Sequence, residues 1–254
     1  MARRSLRILC FGNSLTAGFP AGQPYADKLK EKLEDAFLGH GYAEIDYEVD
    51  GVPGDLVTRG SFISRMGDAW RIATQAKEPY DWTIVLGGTN DLGWGCAVDT
   101  IVAGLKRTWD IPLSKGGKVL ALTIPDTRAK FKDISERRDQ VNQAIKEYKT
   151  PNFFYFDLNK AIPYHAMKPE DRPKYWEMDG VHLSADGYNL MGEKIAEHLI
   201  RIMKLAEAQE TDINTIAPDP RQRKAIEEMI LEEERGNPRL LSQGYIVVRK
   251  RDLD

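Results

Sequence analysis

The chain has 254 residues, a formal net charge of −3 at pH 7 and two cysteines. A slightly acidic chain lacks the basic face that nucleic-acid binding usually needs, two cysteines are too few for a disulfide framework, and no apolar run is long enough to span a membrane. We therefore expect no nucleic-acid partner and no membrane span. A reducing compartment is the simplest interpretation of Cys10 and Cys96.

The N-terminal segment is basic up to Arg4 and then apolar from Leu6 to Phe11, an arrangement that secretory signals share. The apolar run is short for such a signal, and no small-residue cleavage site follows it. It also ends in the segment that carries the candidate nucleophile described below. We therefore predict a cytoplasmic protein.

Five short segments rich in β-branched, aromatic and aliphatic residues predict β-strands, because each is bounded by Gly, Pro, Asn or Asp. They are Arg7–Phe11, Ile45–Val49, Trp82–Leu86, Lys118–Leu122 and Phe153–Phe156. Several of them lack polar alternation, which is typical of strands buried on both faces of a parallel sheet.

Apolar residues at helical spacing separate these strands. They predict helices at Tyr25–Leu38, near Ala69–Ala76, and at Val98–Leu113, Ser135–Tyr148 and Ala185–Ala208. Alternating strands and helices predict a doubly wound α/β sheet. The functional site of such a sheet lies at the carboxyl ends of its strands.

The character of the chain changes after about Glu210. Asp212–Pro220 has the composition of a linker, Arg221–Arg235 is a charged helix candidate, and Gly244–Lys250 is a candidate strand. We therefore predict a main domain at residues 1–208. Residues 209–254 are predicted to form a C-terminal extension that packs on this domain or on the partner subunit of a homodimer.

A serine follows the first predicted strand in the sequence Phe11-Gly12-Asn13-Ser14 and precedes helix-forming residues. This position would expose the hydroxyl of Ser14 at the carboxyl edge of the sheet, where it can act as a nucleophile. An ordinary loop serine that caps a helix explains the same short motif. The motif alone therefore does not decide the chemistry.

Asp179 precedes His182 by three residues. A neutral imidazole is the usual proton acceptor for a serine hydroxyl. On a tight turn, a carboxylate at this spacing can reach the other ring nitrogen and fix the tautomer. A capping role for Asp179 explains this pair equally simply when it is considered by itself.

Two glycine-containing segments follow the second and third predicted strands. Gly54 lies in one of them, and Asn90 lies in the other, Gly87-Gly-Thr-Asn-Asp. A backbone N–H of Gly54 and the side-chain amide of Asn90 are donors of the kind that stabilise a developing oxyanion. Both segments also have the composition of ordinary turns.

Taken together and in this order, the four segments resemble the conserved blocks of the SGNH (GDSL-like) superfamily of serine esterases and lipases. Ser14, Gly54, Asn90 and His182 match the residues that identify the first, second, third and last of these blocks. The segment Asp179-Gly-Val-His-Leu-Ser-Ala-Asp-Gly-Tyr is particularly similar to the last block. The resemblance covers about residues 7–200.

This resemblance implies a flavodoxin-like three-layer α/β/α fold with a five-stranded parallel sheet, and an esterase that needs no metal or organic cofactor. Ser14 would attack a carboxylic ester with a small or medium acyl group, His182 would be the general base, and Asp179 would orient His182. The backbone amides of Ser14 and Gly54 and the side chain of Asn90 would form the oxyanion hole.

One residue departs from the family pattern. The usual signature has Asp before the serine, whereas this chain has Asn13. Asn keeps a side-chain acceptor for a structural hydrogen bond but removes a negative charge beside Ser14. The same machinery also allows thioesters, lysophospholipids or acetylated carbohydrates as substrates, and an inactive flavodoxin-like binding or scaffold protein is the alternative outside enzymes.

Three aromatic residues are candidates for lining a substrate pocket. Trp94 follows the Asn90 segment, and Tyr164 and Trp176 belong to the long connection Asn159–Met178. Long connections in compact domains are often functional. Packing of these residues against the domain is the alternative explanation.

Arg128 follows the fourth predicted strand, two residues after Asp126. At the carboxyl edge of the sheet its guanidinium is a candidate for holding an anionic group of a substrate. Ordinary surface pairing with a carboxylate is the simpler expectation.

Overall fold

One five-stranded parallel sheet organises the chain, whose computed structural model describes residues 4–216 and the side chains of residues 4–207. The strands are β1 (Arg4–Gly12), β2 (Tyr42–Gly51), β3 (Trp82–Leu86), β4 (Lys118–Leu122) and β5 (Phe153–Phe156). Their order is β2-β1-β3-β4-β5, and all neighbours are parallel. The predicted flavodoxin-like α/β fold is confirmed.

Helices connect the strands. They are α1 (Ser14–Ala17), α2 (Tyr25–Phe37), α3 (Gly60–Gln75), α4 (Thr89–Gly93), α5 (Val98–Ser114), α6 (Lys132–Glu147), α7 (Leu158–Ala161), α8 (Arg172–Tyr175) and α9 (Ala185–Ile216). The four one-turn helices were not predicted, because four or five residues carry too little periodicity to stand out. Helix α3 begins nine residues before the predicted Ala69, so the apolar stripe that starts at Phe62 belongs to it.

The inner strand β1 is buried on both faces along its second half, as its apolar composition predicts. Successive side chains of a strand point to opposite faces. Leu9 and Phe11 join one core cluster, which also includes Phe62 and Trp70 of α3 and Trp109 of α5. Burial on both sides holds the carboxyl end of β1, and therefore Ser14, in a fixed position.

Helix α9 packs closely against α2 through a glycine. Its buried stripe includes Tyr188, Met191 and Ile195. A Cβ atom at Gly192 would lie 2.3 Å from the backbone oxygen of Tyr25, so only glycine allows this approach. The two helices are thereby held at backbone contact distance.

The C-terminal end of the described structure departs from one sequence expectation. The chain divides into two compact units at residues 200 and 201, and α9 continues to Ile216. The predicted linker start at Asp212 is therefore wrong, because the helix persists beyond it. The predicted helix Arg221–Arg235 and strand Gly244–Lys250 lie outside the described residues, and the predicted boundary between residues 208 and 209 stays a prediction.

Among the helices within residues 4–216, none combines the length and apolar character that crossing a bilayer requires.

Two mid-helix glycines give a matched test of the α2–α9 packing. Gly192→Ala should lower the free energy of unfolding, by about 1–3 kcal/mol, because its new methyl overlaps the Tyr25 carbonyl. Gly67→Ala in α3 should raise it by roughly 0.5–1 kcal/mol, because no atom lies within 4 Å of the added Cβ and alanine favours the helix. Urea unfolding measures both, and equal effects would contradict this packing.

Candidate active site

Ser14 lies at the carboxyl end of β1, where the chain turns directly into α1. Asn13 caps this helix, and its Oδ1 accepts a hydrogen bond of 3.2 Å from the backbone N–H of Leu15. A Cβ at Gly12 would lie 2.3 Å from the backbone oxygen of Leu86 on β3, so the strand end requires glycine. The Ser14 side chain is therefore presented by a tightly constrained turn.

Asn13 caps α1 with a side-chain acceptor, at the position where the usual family signature has Asp. Asparagine and aspartate are about equally good helix N-caps. The Asn13 side chain is neutral and almost completely buried. The substitution of Asn for Asp therefore keeps the cap and removes a charge that this environment would have to desolvate.

Ser14, His182 and Asp179 form a continuous line of hydrogen bonds. The Oγ of Ser14 lies 2.9 Å from Nε2 of His182, and Nδ1 of His182 lies 2.7 Å from Oδ2 of Asp179. The other carboxylate oxygen of Asp179 accepts the backbone N–H groups of Val181 and His182 at 2.8 and 2.9 Å. The carboxylate is thus fixed by its own turn, with one oxygen left for the imidazole.

The electrostatics of the turn favour an ionised Asp179. Partial burial acts to raise the pKa of its carboxyl, but hydrogen bonds from the His182 ring and from two backbone N–H groups outweigh burial and lower the pKa below its ordinary value. An ionised Asp179 accepts a hydrogen bond from the N–H group at Nδ1 of His182. Nε2 of His182 is then the nitrogen that accepts the Ser14 hydroxyl proton.

Two contacts join the segment after Ser14 to the segment that carries His182. Pro20 and Leu183 form a β-bridge, and the hydroxyl of Tyr188 donates to the backbone oxygen of Phe19 over 2.5 Å. The Phe19 ring lies edge-on to the His182 ring, with centroids 5.1 Å apart. These contacts lock the two segments together beside the hydrogen-bonded line.

Two of the three predicted oxyanion donors, Gly54 and Asn90, lie in neighbouring segments that contact each other. Gly54 has a φ of +80°, which glycine adopts without strain. The side-chain amide of Asn90, in the first turn of α4, donates to the backbone oxygen of Asp55 over 2.9 Å. That amide carries two hydrogens, so this bond fixes the loop after β2 and leaves the amide a second donor.

Asp91 is a structural residue of the site that sequence reasoning missed. Its completely buried carboxylate accepts the backbone N–H groups of Val57 and Thr58 at 3.0 and 2.9 Å, and the hydroxyl of Thr58 at 2.8 Å. These bonds attach the loop after β2 to the start of α4. The adjacent Asn90 and Asp91 in the motif therefore have distinct tasks, which a turn-forming composition does not reveal.

Arg65 of α3 was also missed, and it joins three parts of the site. Its Nη2 donates to the backbone oxygen of Gly12 at 2.9 Å and to Oδ2 of Asp55 at 3.0 Å. It also pairs with Asp50 at the end of β2, and its guanidinium lies 4.5 Å from the centroid of the Phe11 ring. No sequence motif signals this role, because all four partners lie on other elements.

The three predicted pocket aromatics have different environments. Tyr164 and Trp176 contact each other, with ring centroids 5.2 Å apart and an edge-on geometry, and they line one groove. Trp94 follows α4, is 75% exposed and does not line that groove. The structure therefore brings two of the three residues together.

Two further histidines and both cysteines lie away from the line of hydrogen bonds formed by Ser14, His182 and Asp179. Nε2 of His165 lies 2.8 Å from the backbone oxygen of Thr127, and His198 lies within α9 with its Nε2 3.0 Å from the backbone oxygen of Tyr155. Cys10 is buried and Cys96 partly buried, and both are free thiols.

A known protein family matches this chain. The model of the GDSL-like lipase/acylhydrolase family matches residues 10–190. The chain belongs to this family. It is accordingly a carboxylic ester hydrolase, and the match runs from the strand before Ser14 to the helix after His182.

Several solved structures share the fold at low sequence identity. A lipase from a goat rumen metagenome is 22% identical, with a TM-score of 0.59 over 75% of this chain and 95% of its own. A Clostridium thermocellum family 3 carbohydrate esterase is 16% identical, with a TM-score of 0.59 over 79% and 99% of the two chains. A Veillonella parvula member of the G-D-S-L lipolytic family is 21% identical, with a TM-score of 0.59 over 76% and 97%. No curated protein matches the chain.

Two arginines on α3 provide a matched test of the Arg65 network. Arg65→Gln should lower the free energy of unfolding by about 2–4 kcal/mol, because it leaves the largely buried carboxylate of Asp55 without its partner. Arg71→Gln removes an exposed pair with Asp68 and should cost less than about 1 kcal/mol. Denaturant unfolding of both variants is the measurement. Similar losses would show that Arg65 is no more than a surface charge.

Proposed function

We propose that this acylhydrolase cleaves carboxylic esters of small or medium acyl groups through a covalent acyl-enzyme formed on Ser14. The proposal depends above all on the line from Ser14 through His182 to Asp179, with distances of 2.9 and 2.7 Å. A nucleophile within hydrogen-bond reach of a base, and a base held by a third group, is the arrangement that activates serine.

In the first half of the reaction, Oγ of Ser14 forms a bond to the acyl carbon while its proton passes to Nε2 of His182. The tetrahedral intermediate then collapses, and the bond to the alcohol oxygen breaks as His182 returns the proton to the leaving alcohol. Asp179 keeps Nδ1 protonated throughout and stabilises the imidazolium that forms. In the second half, a water oxygen attacks the acyl carbon while its proton passes to Nε2 of His182. The bond to Oγ of Ser14 then breaks, His182 returns the proton to Oγ, and the carboxylic acid leaves.

The negative charge on the acyl oxygen needs donors that are already in place. The backbone N–H groups of Ser14 and Gly54 and the Asn90 amide are the proposed donors. The support is the coupling of their loops, because Asn90 holds Asp55 and Asp91 holds Thr58. Loops fixed before the substrate binds do not have to reorganise when the charge develops.

Two further parts of the proposal concern the location and the assembly of the protein. A cytoplasmic location agrees with two free cysteines. A homodimer through residues 209–254 stays a prediction from the sequence, because most of that extension lies outside the described residues.

Removal of the nucleophile tests the mechanism. Ser14→Ala should abolish hydrolysis of nitrophenyl acetate and butyrate, because it deletes the attacking oxygen, while the melting temperature changes little. A fluorophosphonate probe followed by mass spectrometry should modify Ser14 in the wild type and no serine in the variant. Turnover that survives in the folded variant would remove Ser14 from the mechanism.

Loss of the Asn90 amide tests the oxyanion hole. Asn90→Ala should lower kcat by about 10²–10³-fold with a smaller change in KM, because the donor acts mainly on the transition state. The melting temperature separates this effect from loss of the bond to Asp55. A rate near that of the wild type would exclude Asn90 as an oxyanion donor.

A further inference from the structure

A groove of about 290 Å³ lies next to the turn that carries Asp179 and His182. Its lining includes two arginines, two aromatic rings and the side chain of Met178, which is 90% exposed. The arginines are Arg128 and Arg172, and the rings are those of Tyr164 and Trp176. The proposed mechanism uses none of these residues.

Arg128 is fixed directly to the turn that carries Asp179. Its backbone N–H donates to the backbone oxygen of Gly180 over 2.7 Å, and its Nη1 donates to the backbone oxygen of Met178 over 2.7 Å. Met178 and Gly180 flank Asp179 in sequence. The guanidinium is therefore anchored one residue away from the carboxylate that orients His182.

Arg172 is held by contacts with a different segment of the chain. Its Nη2 donates to the backbone oxygen of His165 over 3.2 Å. Its guanidinium lies 5.2 Å from the centroid of the Tyr164 ring, which in turn packs edge-on against Trp176. Because aromatic and backbone contacts position this cation, an anion that binds it does not have to pay the full cost of ordering the side chain.

Within residues 4–207, neither arginine has a carboxylate partner: no carboxylate lies within 4 Å of either guanidinium, although Glu177 also lines the groove. The expected surface pairing of Arg128 is therefore not found among these residues. Asp126, its nearest acid in sequence, is bound to Arg138 at 2.8 Å instead.

The positive charges of Arg128 and Arg172 indicate which kind of ligand the groove binds. A guanidinium has five N–H donors in a planar fork that matches a carboxylate or phosphate. The structure records one side-chain hydrogen bond from Arg128 and one from Arg172, so most of their donors remain for a ligand. Two cations on the walls of one groove also raise the local concentration of anions.

We propose that this groove binds an anionic group, a carboxylate or a phosphate, carried by the ester substrate. The inference depends on the proposed function, because it identifies a substrate class for the same site. Esters that bear a second, acidic group would then be preferred over neutral esters of the same size.

Matched ester pairs test the preference on each side of the scissile bond. On the acyl side, nitrophenyl butyrate is compared with the nitrophenyl half-ester of glutaric acid, and on the alcohol side phenyl acetate is compared with 4-carboxyphenyl acetate. In the wild type, the acidic member of at least one pair should have the higher kcat/KM. Added sodium chloride should weaken this preference, because Arg128 is exposed and Arg172 partly exposed.

Arginine variants locate the preference. Arg128→Gln and Arg172→Gln should each lower the ratio of kcat/KM for the acidic ester to that for the neutral ester by about 10-fold, since each removes a charged hydrogen-bond donor. Arg107→Gln, on the exposed surface of α5, should leave the ratio unchanged. Arg128→Lys should retain part of the preference, because it keeps the charge but not the fork.

Two results would overturn the inference. The first is a ratio that neither glutamine variant changes in either ester pair. The second is a change in the turnover of neutral esters by inorganic phosphate that disappears in Arg128→Gln, because the groove would then bind a regulatory anion. Failure of the proposed mechanism is distinguishable from both, since it would appear as hydrolysis of neutral esters by Ser14→Ala.

Discussion

The hydrogen bond between Ser14 and His182 joins segments that are 168 residues apart, and the candidate site depends on this meeting. Ser14 is held because it follows β1, an inner strand that pairs with β2 on one side and β3 on the other. His182 is held because Asp179 uses one oxygen for the backbone of its turn and the other for the imidazole. The bridge between Pro20 and Leu183 joins the two segments directly.

Around Ser14 and His182, charged side chains hold the neighbouring loops in place by hydrogen bonds. Asp91 holds the loop after β2 by three hydrogen bonds, and Arg65 joins that loop to the end of β1. A buried carboxylate or guanidinium is costly to desolvate unless it is fully bonded. Such groups therefore favour one loop arrangement over alternatives, and oxyanion donors need a fixed arrangement of this kind.

The turn that carries Asp179 and His182 borders two environments with different chemistry. The His182 ring contacts Ser14 and the ring of Phe19. Met178, next to Asp179 in sequence, lines the groove that contains Arg128 and Arg172. Bond cleavage and the proposed recognition of an anionic group thus depend on the same short segment.

The sequence by itself determined the five strands and the parallel α/β class, because buried strands leave local patterns. Together with the family resemblance, it also predicted that Ser14, Asp179 and His182 would meet, as they do. Only the tertiary structure decided the tasks of Arg65 and Asp91, the grouping of Tyr164 with Trp176 apart from Trp94, and the partner of Asp126. These depend on which residues from distant parts of the chain come into contact. Spacing along the chain carries no information about such contacts.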